Sequence, residues 1–158
     1  KNVQKKPGFG GDSNIYKAEN SIMESNKYGR WKIEVVQAKD LKTVDWTKDV
    51  NDPYLLLTAR EGKIIIGQTI NKSGTNNPTY EESFIFEGRK SMNWLTIECW
   101  DKNLIRGDEL IGSAVVVLDH HKPGWFELKD RQKKPAGQVL IKFYRQQTDC
   151  CSQQCICM

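Results

Sequence analysis

Trp94-Leu95-Thr96-Ile97-Glu98-Cys99-Trp100-Asp101 sets Leu95, Ile97 and Cys99 on every second position, with Thr96 and Glu98 between them. A period of two sends one set of side chains into a core and the other toward solvent, as a strand does and a helix does not. Cys99 falls in the apolar set, so it is expected as a small core residue. The same reading extends outward. Upstream, Phe84 and Phe86 alternate with Ser83 and Ile85, and Trp31, Ile33 and Val35 alternate with Lys32 and Glu34. Pro53 to Thr58 and Lys63 to Thr69 flank Arg60-Glu61-Gly62, which predicts a hairpin. Downstream come the β-branched run Ser113 to Leu118, a short run at Trp125 to Leu128, and Gln138 to Tyr144 with Val139, Ile141 and Phe143 on one face. Turn chemistry separates these runs by about 8–14 residues, the spacing of an all-β sandwich or barrel. Eight strands are expected, and no useful helical period appears.

The chain has 158 residues, enough for one core plus tails without disulfides or metals. A net charge of +4 favours acidic partners such as anionic lipid, but is too small to argue for nucleic acid. No apolar run approaches the roughly 20 residues that a membrane-spanning helix needs. No signal-peptide pattern opens the chain, so a retained leader is not expected. Residues 1–29 are polar and aperiodic, with Gly8, Gly10 and Gly11 beside Pro7, and are expected as an extended or partner-ordered arm. Four of the five cysteines, Cys150, Cys151, Cys155 and Cys157, lie in the last nine positions. A disulfide framework would spread its cysteines over the fold, so a stapled secreted domain is not expected.

Between residues 30 and 145 the chain resembles the C2 domain family in three places. Asp52-Pro53-Tyr54-Leu55 resembles the family's DPY motif after the first long loop. Asn77-Pro78-Thr79-Tyr80-Glu81-Glu82-Ser83-Phe84-Ile85-Phe86 resembles its N-P-x-W-N-E-x-F-x-F stretch. Trp100-Asp101-Lys102-Asn103 followed by Asp108-Glu109-Leu110-Ile111-Gly112 resembles its third loop and the next strand. The resemblance implies an eight-stranded antiparallel β-sandwich with Greek-key connections. With no strand expected before Trp31 and one closing the domain, it is similar to the second family topology, that of phospholipases and novel protein kinase C. In that arrangement both termini leave opposite the binding loops.

The resemblance also implies a site. Family members that bind calcium use carboxylates of loops one and three, because calcium takes six to eight oxygen ligands. Carried over by position, the ligands are Asp45, Asp52, Asp101, Asn103 and Glu109. Asn103 lacks a charge where the family has Asp, and Glu109 is longer by one methylene, so weaker binding is implied. Asp49 and Asp108 lie close by in sequence and offer compensating carboxylates. The alternative is a solvated acidic loop without calcium. Trp46, Leu104, Ile105 and Arg106 stand where family members insert side chains into lipid; the alternative for Trp46 is packing back onto the sandwich. The carboxylates have no accompanying base, nucleophile or phosphate-cradling loop, so no catalysis is expected. His120-His121 reads as a turn pair. Lys129, Arg131, Lys133 and Lys134 form a basic loop suited to acidic lipid or protein, although a solvated face is the commoner reason for such a run.

The terminal Cys155-Ile156-Cys157-Met158 fits C-a-a-X with Met last, which predicts farnesylation of Cys155, with Cys150 and Cys151 as palmitoylation candidates. One prenyl chain anchors only marginally, so a second lipid or a docking face would complete the attachment. A metal cluster fits these cysteines poorly, because CxxC spacing is absent. The expected organisation is an arm over 1–29, a C2 domain over 30–145 and a Cys-rich tail over 146–158. The expected function is a non-catalytic module on the cytosolic face of a membrane, binding anionic phospholipid and in some settings calcium. The alternative is a calcium-independent scaffold binding other proteins, with the arm and tail as contacts.

Overall fold

A computed structural model describes residues 28–44, 50–59, 64–89, 94–118 and 120–146. Asp45, Trp46 and Asp49, the hairpin turn at Arg60-Glu61-Gly62, the polar arm before Tyr28 and the tail cysteines lie outside the described residues.

Eight strands appear in the expected order: β1 (Tyr28–Lys39), β2 (Pro53–Ala59), β3 (Ile64–Gln68), β4 (Thr79–Arg89), β5 (Trp94–Asp101), β6 (Glu109–Val117), β7 (Gly124–Lys129) and β8 (Pro135–Gln146). All pairings are antiparallel, in the order β3-β2-β5-β6-β7-β8-β1-β4. A single rung, Ser113 opposite Lys129, joins β6 to β7. The ladder is therefore nearly cut there, and its two halves fold face to face as a sandwich.

The alternation read from sequence decides the layers. Ile33, Val35, Leu55, Leu57, Leu95, Ile97, Cys99, Val139 and Ile141 are wholly buried between the sheets. Each such Leu or Ile contributes about 1.5–3 kcal/mol relative to exposure. Cys99 is a core residue, and its burial pushes the thiol pKa upward, away from reactive thiolate. At the seam, a Cβ on Gly112 would sit 2.9 Å from the Ala136 Cβ and 3.2 Å from the Leu128 Cβ. Only a residue without Cβ lets β6 approach β7 and β8 this closely.

The register sorts the loops between two poles. Lys39 faces Gln138, and Pro53 faces Asp101, which faces Glu109. The segments 40–44, 50–52, 69–78, 102–108 and 130–134 therefore share one pole. At the other end Arg30 faces Gln146. There the chain enters and leaves the sandwich.

Candidate functional site

The loop pole rests on a buried amide. Asn51 is wholly buried just before β2. Its Nδ2 donates to the Lys42 carbonyl at 3.1 Å and to Asn76 Oδ1 at 2.8 Å, and its Oδ1 accepts from the Val44 N–H at 3.3 Å. The Asn51 N–H also donates to Asn76 Oδ1, at 3.1 Å. A buried amide is tolerated only when its donors and acceptor are met, and here they tie residues 42–44 and Asn51 to segment 69–78. Backbone bonds from Leu41 N to Asn76 O and from Thr75 N to Asn51 O continue the seam.

The third loop is fastened beside it. Asp101 is buried, and its Oδ1 accepts from the Asp52 N–H at 2.6 Å. Asp52 Oδ1 accepts from the Gly74 N–H at 2.6 Å, and the Asp52 carbonyl accepts from Lys102 N at 3.0 Å. Asn103 Nδ2 donates to Asp101 Oδ2 at 3.5 Å. Asp52, Asp101 and Asn103 are thus brought together. Glu109 sits in register with Asp101 on the neighbouring strand, with its side chain exposed.

Asp108 does something sequence reading did not assign. Its Oδ2 accepts from the Tyr54 hydroxyl at 2.8 Å and Lys102 Nζ at 3.1 Å, and its Oδ1 accepts from the Asn103 N–H at 3.1 Å. Burial alone would raise this carboxyl, but the three donors outweigh it and hold the pKa below the usual carboxylate range. Burial first, then the bond to Asp108, pushes the Tyr54 hydroxyl up to about 12. Asp108 is therefore a clasp across the foot of the loop. The signal for it in the sequence is Tyr54: a hydroxyl at the head of a buried strand needs an acceptor.

The donors suit a hard cation in kind. Asp52, Asp101 and Asn103 offer oxygen ligands on adjoining loops, which is calcium's preference. They do not complete a shell, and the described residues contain no group of three acidic, His or Cys side chains placed to hold a metal. Glu109 carries a further carboxylate, and the sequence carries two more in Asp45 and Asp49.

The crest of the third loop has the opposite character. Leu104 is 97% exposed and Ile105 95%, with Arg106 beside them and Gly107 turning the chain at φ +84°. Two adjacent aliphatic side chains stand in water above a foot held by hydrogen bonds. His120 and His121 lie in a turn at the far pole, where His121 Nδ1 is 2.9 Å from the Val117 N–H and its ring meets Phe126 edge-on.

Comparison with known proteins agrees with this geometry. The C2 domain model matches residues 29–134. The chain belongs to the C2 domain family. Synaptotagmin-4 of Arabidopsis thaliana is 32% identical over 139 residues, covering 81% of this chain and 24% of that protein. The chain thus spans about a quarter of that relative's length. A single C2 domain of plant extended synaptotagmin 1 superposes with a TM-score of 0.66 at 25% identity, covering 75% of this chain and 94% of that one. The calcium-bound pair of C2 domains from extended synaptotagmin 2 shares the fold, with a TM-score of 0.58 at 22% identity over 74% of this chain and 45% of that one.

Proposed function

We propose that this C2 domain is a non-catalytic membrane-docking module that binds anionic phospholipid through its loop pole. The observation that carries the reading is the crest at Leu104 and Ile105. Both side chains are almost wholly exposed, while the loop beneath them is clasped by Asp101 and Asp108. Exposed aliphatic groups on a fixed support gain free energy by entering a bilayer interface, and a flanking Arg gains from phosphate. Trp46, in the sequence between β1 and β2, is assigned the same role.

Calcium binding belongs to this proposal as a weak, strengthening element. Asp52, Asp101, Asn103, Glu109 and Asp45 are the assigned ligands. What the ion supplies is positive charge between carboxylates and lipid phosphate. The strand connectivity supports assignment to the second C2 topology, because β8 closes the domain against β1. Cys155, with Cys150 and Cys151, is assigned to lipidation, which places the module on the cytosolic face.

The deciding experiment is vesicle co-sedimentation, with and without calcium, of the whole chain, a chain ending at Gln146, and a L104D/I105D variant. The whole chain is expected to pellet with vesicles containing phosphatidylserine, and the variant to bind at least tenfold more weakly. Calcium is expected to tighten both the whole chain and the shortened one. Equal pelleting by the parent and L104D/I105D would end the crest's role.

One observation favours a second reading as a protein scaffold. On the outer face of the β3-β2-β5-β6 sheet, Ile65, Trp94 and Val115 are 70%, 50% and 59% exposed. Rung pairing aligns Ile65, Thr58, Thr96 and Val115 in one row across the four strands. The exposed apolar side chains at the two ends of this row, Ile65 and Val115, suit a protein partner. Failure to bind any vesicle, calcium or not, would favour this reading.

A further inference from the structure

We infer that the β7–β8 turn, Asp130 to Lys134, is a preformed cationic prong that binds anionic phospholipid headgroups beside the Leu104-Ile105 crest. The inference rests on the membrane-docking reading above and extends it to a second contact.

The turn Asp130-Arg131-Gln132-Lys133-Lys134 is built around one carboxylate. Asp130 is 8% exposed. Its Oδ1 accepts from the Gln132 and Lys134 N–H groups, each at 2.9 Å, and its Oδ2 accepts from Lys42 Nζ at 2.8 Å. The backbone closes the same turn, Asp130 N donating to Lys134 O and Lys133 N to Asp130 O, both at 2.9 Å. Lys133 is held at φ +65°, in the left-handed region. A long side chain adopts that conformation only where the surroundings enforce it. The Lys42 ammonium, with the two turn N–H groups, holds the Asp130 carboxyl below its usual range. The buried acid therefore stays charged and bound to the backbone of the turn.

The result is a stiff turn that points its cations away from itself. Arg131, Lys133 and Lys134 are exposed, and no acidic side chain pairs with any of them among the described residues. Three like charges on one short turn repel one another, and an anionic partner relieves that repulsion.

Position selects lipid from among anionic partners. The turn lies at the loop pole, opposite the end where the chain enters and leaves. It walls one side of an open cleft of about 390 Å³ whose other side includes Asp108, Glu109 and Leu110, at the foot of the third loop. Exposed cations and bare aliphatic side chains therefore share the loop pole. A bilayer interface offers both partners at once, hydrocarbon for Leu104 and Ile105 and phosphate for the turn. An acidic protein surface would leave the aliphatic pair in water.

The test uses the whole chain on vesicles of phosphatidylcholine, alone or with one-quarter phosphatidylserine, in calcium-containing buffer. The variants are R131Q/K133Q/K134Q, D130N and L104D/I105D, each checked for its fold by circular dichroism. Each removed cation is expected to weaken binding to the anionic vesicles about fivefold, so the triple variant loses roughly 100-fold. Binding to pure phosphatidylcholine stays within about twofold. D130N separates geometry from charge. It makes the protein more positive, so a bare charge count requires tighter binding, whereas a turn that needs its anchor requires weaker binding. A triple variant within twofold of the parent on anionic vesicles, or a D130N that binds more tightly, overturns the prong. If D130N lowers the melting temperature, the triple variant decides, because it alters only exposed side chains. A parent that binds no vesicle overturns the docking reading and the prong together. A parent that binds and loses binding in L104D/I105D, yet is unmoved by the triple variant, overturns the prong alone.

Discussion

Two parts of the loop pole follow opposite rules. Around Asn51 every side-chain polar group is met from inside: Asn76, the Lys42 carbonyl and the Val44 N–H close on it within 3.3 Å. At Leu104 and Ile105 nothing closes, and two aliphatic side chains remain in water. The first region is frame and the second is contact surface. The frame keeps the crest raised, because a bare crest on a slack loop would fold back onto the sandwich and bury itself.

The largest effect is expected from breaking the frame. Asn51→Leu takes the side-chain partner from the Lys42 carbonyl and the Val44 N–H and one of two Asn51 donors from Asn76 Oδ1, and about 3 kcal/mol of stability is expected to go, measured by urea denaturation. A loss below about 0.5 kcal/mol would show that the amide cluster is no frame. Gly137 comes next. It holds φ +116°, and an added Cβ would meet the Lys39 and Asp40 carbonyl oxygens at 2.9 Å, where the chain leaves β1. Gly137→Ala is expected to cost about 2 kcal/mol, read in the same denaturation experiment.

A smaller change sharpens the line between clasp and ligand. Tyr54→Phe removes one donor from Asp108 and is expected to cost about 1 kcal/mol. The sign of the pH dependence follows from the depressed carboxyl. Asp108 has a lower pKa folded than unfolded, so its contribution is complete above the unfolded value, about 4, and fades as pH falls through the folded value. The stability gap between the parent and Asp108→Asn is therefore expected to be widest near neutrality and to shrink in acid, followed by thermal melts across that range. A gap independent of pH would remove the clasp. The smallest effect belongs to the crest. L104D/I105D is expected to change folding stability by less than about 0.5 kcal/mol, since neither side chain touches the core. A large loss of stability would mean the crest is part of the frame.

Much of the fold was legible because alternation reports burial directly. Leu95, Ile97 and Cys99 had to share a face, and they do. The run Ser113 to Leu118 was harder, since β-branched residues carry no phase. The strand in fact opens earlier, at Glu109, and Gly112 lets it pass the seam. At the site, the motifs located Asp52, Asp101 and Asn103, and the fold brings them together. They could not show that Asp108 binds Tyr54, because that contact joins residues 54 positions apart. Nor could composition distinguish the β7–β8 turn from any solvated basic loop. Its distinction lies in the buried Asp130 beneath it.

Period and motif alone determined that this chain forms eight antiparallel strands of C2 type with acids and aliphatic groups on its connecting loops, because strand phase and turn chemistry are local properties. Tertiary structure alone decided which of those acids are engaged in bonds to the frame, which cations are displayed and which aliphatic side chains stand clear. Those outcomes depend on which loops meet at a pole, and only the register of strands far apart in the chain brings them there.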